Sequence, residues 1–237
     1  MKSPAMMGLL LLPLLLFDPP NLPAYENEVV TNGGTILGAV KFKGTPPPLK
    51  QLQITKDEEV CGKTKTDPSL IISQGGVTNA VVYIPGIQKG KKMGAEKLVL
   101  DQKGCIYLPH VLAMPAGSTI EILNLDGILH NIHSYSHINP PFNIAQPRFR
   151  KTVTVKLDKP EIINIKCDVH YWMNGWLFVA ENPYYSVTDS SGSFKLTDVP
   201  PGTYTVTVWH ETLGKLSKTV SVKPKEDVKI TFELAEK

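Results

Sequence analysis

Charge of either sign is scarce in this chain and never collects in blocks. Lys and Arg number 25 against 22 Asp and Glu, leaving a formal net charge of +3 over 237 residues. A balance that small, with no Lys/Arg-rich stretch, gives no footing for nucleic-acid binding. Cysteine is rarer still: the three present form at most one disulfide and leave one thiol over. No paired carboxylates, nucleophile elbow or phosphate-cradling Gly loop occurs, which removes the common hydrolase and phosphotransfer chemistries. Helical periodicity is also nearly absent, with one short candidate around residues 92–97. What the chain does have is 42% hydrophobic residues against 20% charged, enough for a folded core. Its 18 Gly and 20 Pro mark a turn-rich chain short of low complexity.

The amino terminus reads as a secretory signal. Lys2 precedes an apolar run over residues 8–17, followed by Asp18 and a Pro-rich stretch. Such a run is shorter than the roughly 20 apolar residues needed to span a bilayer. Leu22-Pro23-Ala24 offers a cleavage site, so residues 1–24 are expected to leave and the mature protein to be exported, periplasmic or extracellular. No integral membrane segment is expected in the mature chain, and disulfides are permitted in that compartment.

From residue 35 onward the apolar residues recur with the period of strands. Residues 35–42, 78–84, 118–123, 152–157, 161–167 and 203–209 are short, β-branched and bounded by turn formers. In 152–157 the inward set is Val153, Val155 and Leu157; in 203–209 it is Tyr204, Val206 and Val208. The pattern indicates an all-β protein of the sandwich type.

One segment carries chemistry: Cys167-Asp168-Val169-His170-Tyr171-Trp172-Met173. A thiolate, an imidazole and a thioether follow one another at intervals of three just after a strand. Ile163, Ile165 and Cys167 share a parity, which turns Cys167 toward the sandwich interior. Soft sulfur ligands with imidazole suit copper, and a trigonal His₂Cys site with a weak axial Met needs one more histidine. The stretch Asp126-Gly-Ile-Leu-His130-Asn131-Ile132-His133 supplies two candidates. His130 and His133 have opposite parity on one strand, so only one of them faces a metal.

Here the chain resembles the cupredoxins, the blue copper proteins, and in particular the amicyanin and plastocyanin branch. Members carry a His-Asn pair on an early strand and a later Cys-x-x-His-x-x-Met loop. The resemblance implies a Greek-key β-sandwich and one type 1 copper ion held by His130, Cys167, His170 and axial Met173. It implies that Asn131 ties the two ligand segments together by hydrogen bonds. It also implies that His170 lies near the surface and exchanges electrons with redox protein partners. Trp172 and Trp176, flanking the loop, would form a dry shell around the metal and a docking surface.

Cys61 and Cys105 remain, and in an exported protein they are expected to pair across a loop of about 45 residues, worth about 4 kcal/mol. A competing use adds His110, in Cys105-Ile-Tyr-Leu-Pro-His110, to these cysteines to make a second metal site. His133 and His137 form an exposed metal pair, an electron-exchange patch or plain solvated side chains. After a boundary near Asn182-Pro183, the chain resembles the carboxypeptidase regulatory-like or transthyretin-like β-sandwich modules. That resemblance rests on residues 185–189, Gly192-Ser193-Phe194 and Pro200-Pro201-Gly202-Thr203-Tyr204. It implies a turn at Gly192, core positions at Phe194 and Tyr204, and an accessory role without chemistry. The expected organisation is a signal over 1–24, a β extension over 25–76, a cupredoxin domain over 77–182 and a β module over 183–237. That module is small enough to pack against the first domain or to borrow a strand from the 34–42 region. The expected function is single-electron transfer by an exported, non-enzymatic copper protein. The alternatives are copper delivery, or metal-free carbohydrate binding or adhesion.

Overall fold

The computed structural model describes residues 25–94 and 97–236. The expected signal, residues 1–24, lies outside the described residues. The protein is all-β, built as two β-sandwiches whose four principal sheets lie one upon another. Among the described residues no helix is long and apolar enough to cross a membrane.

The first sandwich packs two sheets. One orders the strands Tyr107–Leu108, Leu98–Gln102, Ser118–Asn124 and Thr152–Leu157. The other orders Val111–Pro115, Asn174–Ala180, Glu161–Lys166, His130–Tyr135 and Asn143–Gln146. Leu100, Ile120, Ile122, Val153 and Leu157 from the first meet Ile132, Ile163, Ile165, Leu177 and Val179 from the second. Each such side chain contributes about 1.5–3 kcal/mol of apolar burial.

The second sandwich takes its strands from both ends of the chain. Gly34–Phe42 pairs in parallel with Asp227–Leu234 and antiparallel with Ser193–Val199. Val81–Tyr83 lies between Tyr185–Val187 and Gly202–His210. The sheets therefore cut across the divisions drawn at residues 76 and 182. Strands 34–42, 72–73, 76–77 and 81–83 join the carboxy-terminal sandwich, and only the hairpin over 51–66 turns to the first. Period-two alternation says that a strand has a buried face; it does not say which sheet the strand joins. The helix expected around residues 92–97 is not formed over 91–94 or at 97. The described helix is instead a single turn, Glu58–Cys61, inside that hairpin.

The two sandwiches meet through the outer faces of their inner sheets. Val111, Phe178 and Ala180 pack on Val81 and Trp209, with Trp176 and Trp209 edge to face at 5.1 Å. The strand Asn174–Ala180 is thus buried on both sides, which explains its nearly unbroken apolar run. At the far turn, Gly192 has φ 76 and lies so close to strand Gly34–Phe42 that a Cβ would stand 2.3 Å from the Val40 carbonyl oxygen. Only glycine fits there. Phe194 is buried, and the Tyr204 hydroxyl donates to the Pro200 carbonyl at 2.8 Å.

Candidate metal centre

His130 opens the strand His130–Tyr135, and Cys167 follows the last residue of Glu161–Lys166. His133 pairs with Lys166 in the register of these two strands, which sets His130 and the loop after Lys166 at the same end of the sheet. The chain then turns back on itself. The Met173 amide donates to the His170 carbonyl at 2.9 Å, and the Cys167 amide donates to the Met173 carbonyl at 3.2 Å. Ligand atoms of His130, Cys167 and His170 lie within 4.8 Å of one another, and all three residues are buried. The two Nδ1 atoms are 3.0 Å apart, and Cys167 Sγ is 3.8 Å from His170 Nδ1. Met173 is fully buried in the same core cluster.

Each imidazole is held from behind by a carboxylate. His130 Nε2–H donates to Asp126 Oδ2 at 2.9 Å, and His170 Nε2–H donates to Asp57 Oδ2 at 2.9 Å. This fixes both tautomers with their Nδ1 lone pairs converging. Two lone pairs facing at 3.0 Å repel unless a cation or a proton stands near them. Bonds of about 2.0 Å to nitrogen and 2.3 Å to sulfur space the donor atoms of a metal ion by about 3–4 Å. The observed separations fall in that range, so the donor set fits a metal ion.

Asn131 links the two ligand segments. Its Oδ1 accepts from the Asp168 amide at 2.7 Å and from Cys167 Sγ at 3.3 Å, while its Nδ2 donates to Asn143 Oδ1 at 2.7 Å and Asp168 Oδ2 at 3.0 Å. Burial pushes the Cys167 thiol up, while the backbone amides of Asn131, His170 and Val169 favour its thiolate. Burial also lowers the pKa of His130, against the opposing pull of Asp126. Asp168 is held low mainly by His133, whose Nδ1 lies 3.1 Å away, with Asn143 and Asn131 adding to it.

Asp126 is set by buried amides. Asn124 donates through Nδ2 to the carbonyls of Ile128 at 2.9 Å and Gln146 at 2.7 Å, and Gln102 Nε2 donates to Gln146 Oε1 at 2.6 Å. This closes the turn between Asn124 and His130, where Asp126 also accepts from the Gly104 and Cys105 amides.

Several expectations change. His170 was expected near the surface, yet it has 0% exposure, because the hairpin over 51–66 lays Asp57 against it. Trp172 does border the site, 5.0 Å from the His170 ring, but Trp176 lies in the seam between the sandwiches, where its Nε1 donates to Glu211 Oε2 at 2.8 Å. Cys105 is bonded to Cys61, so its sulfur is no thiolate ligand, and His110 pairs with the buried Glu211 instead. The structure therefore does not bring Cys105 and His110 together as a second site. His133 faces Asp168, and the His137 amide donates to Glu161. Sequence reasoning missed both supporting carboxylates. Asp126, four residues before His130, left a local signal; Asp57, 113 residues before His170, left none.

Residues 179–235 match the family profile of the carboxypeptidase regulatory-like domain. No curated protein gives a significant match. Among solved structures, a Cu-containing nitrite reductase from Thermus scotoductus SA-01 is similar at 22% identity and TM-score 0.34, covering 39% of this chain and 24% of that one. The chain thus spans about a quarter of that enzyme. A purple cupredoxin from Nitrosopumilus maritimus is similar at 20% identity and TM-score 0.31, covering 35% of this chain and 100% of that one. Amicyanin from Paracoccus versutus is similar at 17% identity and TM-score 0.33, covering 42% and 97%. Similarity of this degree assigns no function to the chain.

Proposed function

We propose that this chain is an exported mononuclear type 1 copper protein of the cupredoxin kind, which carries single electrons between redox partners. The observation that supports it is the convergence of His130 Nδ1, His170 Nδ1 and Cys167 Sγ in a buried cluster, with both imidazoles turned by carboxylates so that their lone pairs meet. A copper ion held there supplies a one-electron couple. The residues do the rest. Cys167 would give a thiolate inside an apolar core, His130 and His170 would each offer Nδ1, and the buried Met173, next in the loop, would offer a weaker sulfur ligand. Asn131 keeps the two ligand segments in register, so the donors need not move when the charge changes. The Cys61–Cys105 disulfide supports a place outside the reducing cytosol. The carboxy-terminal sandwich brings no ligand to this cluster, and we assign it a structural or recognition role.

The test is the visible and EPR spectrum of the copper-loaded mature protein. The expected result is an intense blue or green thiolate-to-copper absorption that Cys167→Ser abolishes. A colourless complex with an ordinary Cu(II) EPR signal overturns the reading. Reversible voltammetry of the coloured protein separates an electron carrier from a protein that only delivers copper.

A further inference from the structure

The hairpin over 51–66 has no counterpart in the chemistry described so far, yet it touches the site at four places. Asp57 Oδ2 accepts from His170 Nε2 at 2.9 Å. The Gln53 carbonyl accepts from the Tyr171 hydroxyl at 3.0 Å. Cys61 is bonded to Cys105, whose carbonyl accepts from Trp172 Nε1 at 3.1 Å. Ile54 and Cys61 are buried in the core cluster that contains Cys167, Trp172 and Met173. Asp57 itself sits in the left-handed region at φ 52 and opens the helical turn Glu58–Cys61, accepting the Val60 and Cys61 amides at 3.0 and 2.8 Å. That backbone hold fixes where its carboxylate points.

The consequence is a change of face. His170 is covered completely, while the next residue, Tyr171, is 69% exposed. The Tyr171 ring stands edge-on to Trp172 at 5.3 Å, and Trp172 lies 5.0 Å from His170. A series of three rings thus leads from the buried imidazole to solvent. We propose that the 51–66 hairpin is a fixed seal over His170, with Asp57 as its positioning residue, and that electron exchange takes place at Tyr171. The exchange half of this rests on the copper reading; the seal does not.

The seal is tested in the metal-free protein with diethyl pyrocarbonate, mapping the carbethoxylated histidines by mass spectrometry. In the wild type, the partly exposed His133 reacts quickly and His170 slowly. Asp57→Ala makes His170 react many times faster, and Asp57→Asn, which keeps an acceptor in place, restores protection. If His170 of the wild type reacts as fast as His133, or if Asp57→Ala leaves its rate unchanged, there is no seal. Exchange is tested on the copper-loaded protein with hexacyanoferrate(II), which loses one electron as Cu(II) becomes Cu(I). Tyr171→Leu slows the reduction several-fold relative to Tyr171→Phe, which loses the same hydroxyl contact to Gln53 but keeps the ring, whereas Asp57→Ala speeds it. Equal rates in Tyr171→Leu and Tyr171→Phe overturn exchange at Tyr171. A protein that takes up no copper fails the copper reading and leaves the labelling result to decide the seal.

Discussion

Replacing Asn131 with Ala separates the two ligand segments without touching a ligand. The side chain is buried and makes four hydrogen bonds, of which the two to Asp168 join strand His130–Tyr135 to the loop after Lys166. A net contribution of about 0.5–1.5 kcal/mol per bond gives a loss of about 2–4 kcal/mol, since the weak sulfur contact adds little. Two further consequences sharpen the test. The Asp168 amide loses its acceptor, and the Asp168 carboxylate keeps only Asn143 and His133. A double-mutant cycle with Asp168→Ala should therefore show a coupling of about 1–2 kcal/mol, within the range for groups in one network. The assay is urea unfolding of the metal-free protein followed by tryptophan fluorescence, so that metal affinity does not enter the measured stability. A loss below about 0.5 kcal/mol, or additive single and double variants, refutes the claim that Asn131 staples the site.

Three further outcomes follow from the same structure. Cys61→Ser with Cys105→Ser opens a loop with a sequence separation of 44, and urea unfolding should show a loss of about 4 kcal/mol; a loss under about 1 kcal/mol would contradict the chain-entropy account. Glu211→Ala removes the carboxylate that accepts from His110, Trp176 and Asn174, and at about 0.5–1.5 kcal/mol per bond the seam should weaken by about 2–4 kcal/mol, with a shifted Trp176 emission. Burial holds His210 neutral, with its pKa lowered from 6.5 to about 4, the facing Glu211 and His110 opposing each other. The unfolded chain takes up that proton below about pH 6.5, so this stability is whole above 6.5 and lost as pH falls toward 4, on the order of 3 kcal/mol. His210→Asn keeps an acceptor for the Thr212 and Leu213 amides, and its acid-unfolding curve should be flatter between those pH values.

Local pattern carried much of the first sandwich. The strands over 118–123, 152–157 and 161–167 read correctly to within a residue, because side-chain alternation is a property of the strand itself. Parity also turned Cys167 inward, and the structure buries it. Parity allowed only one of His130 and His133 at the metal; the fold buries His130 beside Cys167 and leaves His133 partly exposed against Asp168. The one-turn helix Glu58–Cys61 escaped because four residues are too few to show a period.

What the sequence determined by itself was local: strands, turns, the Cys-His-Met loop, the spare pair of cysteines and the module around Gly192. The carboxy-terminal module was expected to pack on the first domain or borrow a strand from 34–42, and it does borrow that strand. Tertiary structure alone decided the partners and register, since pairing of 35 with 227, or 81 with 209, leaves no mark on either segment. It also decided the second carboxylate. Asp57 reaches His170 across 113 residues because a disulfide and a buried isoleucine bring its hairpin over the site. No periodicity encodes a contact at that distance; it exists only once the core has closed. His170, which the family resemblance implied to lie near the surface, is buried for that reason.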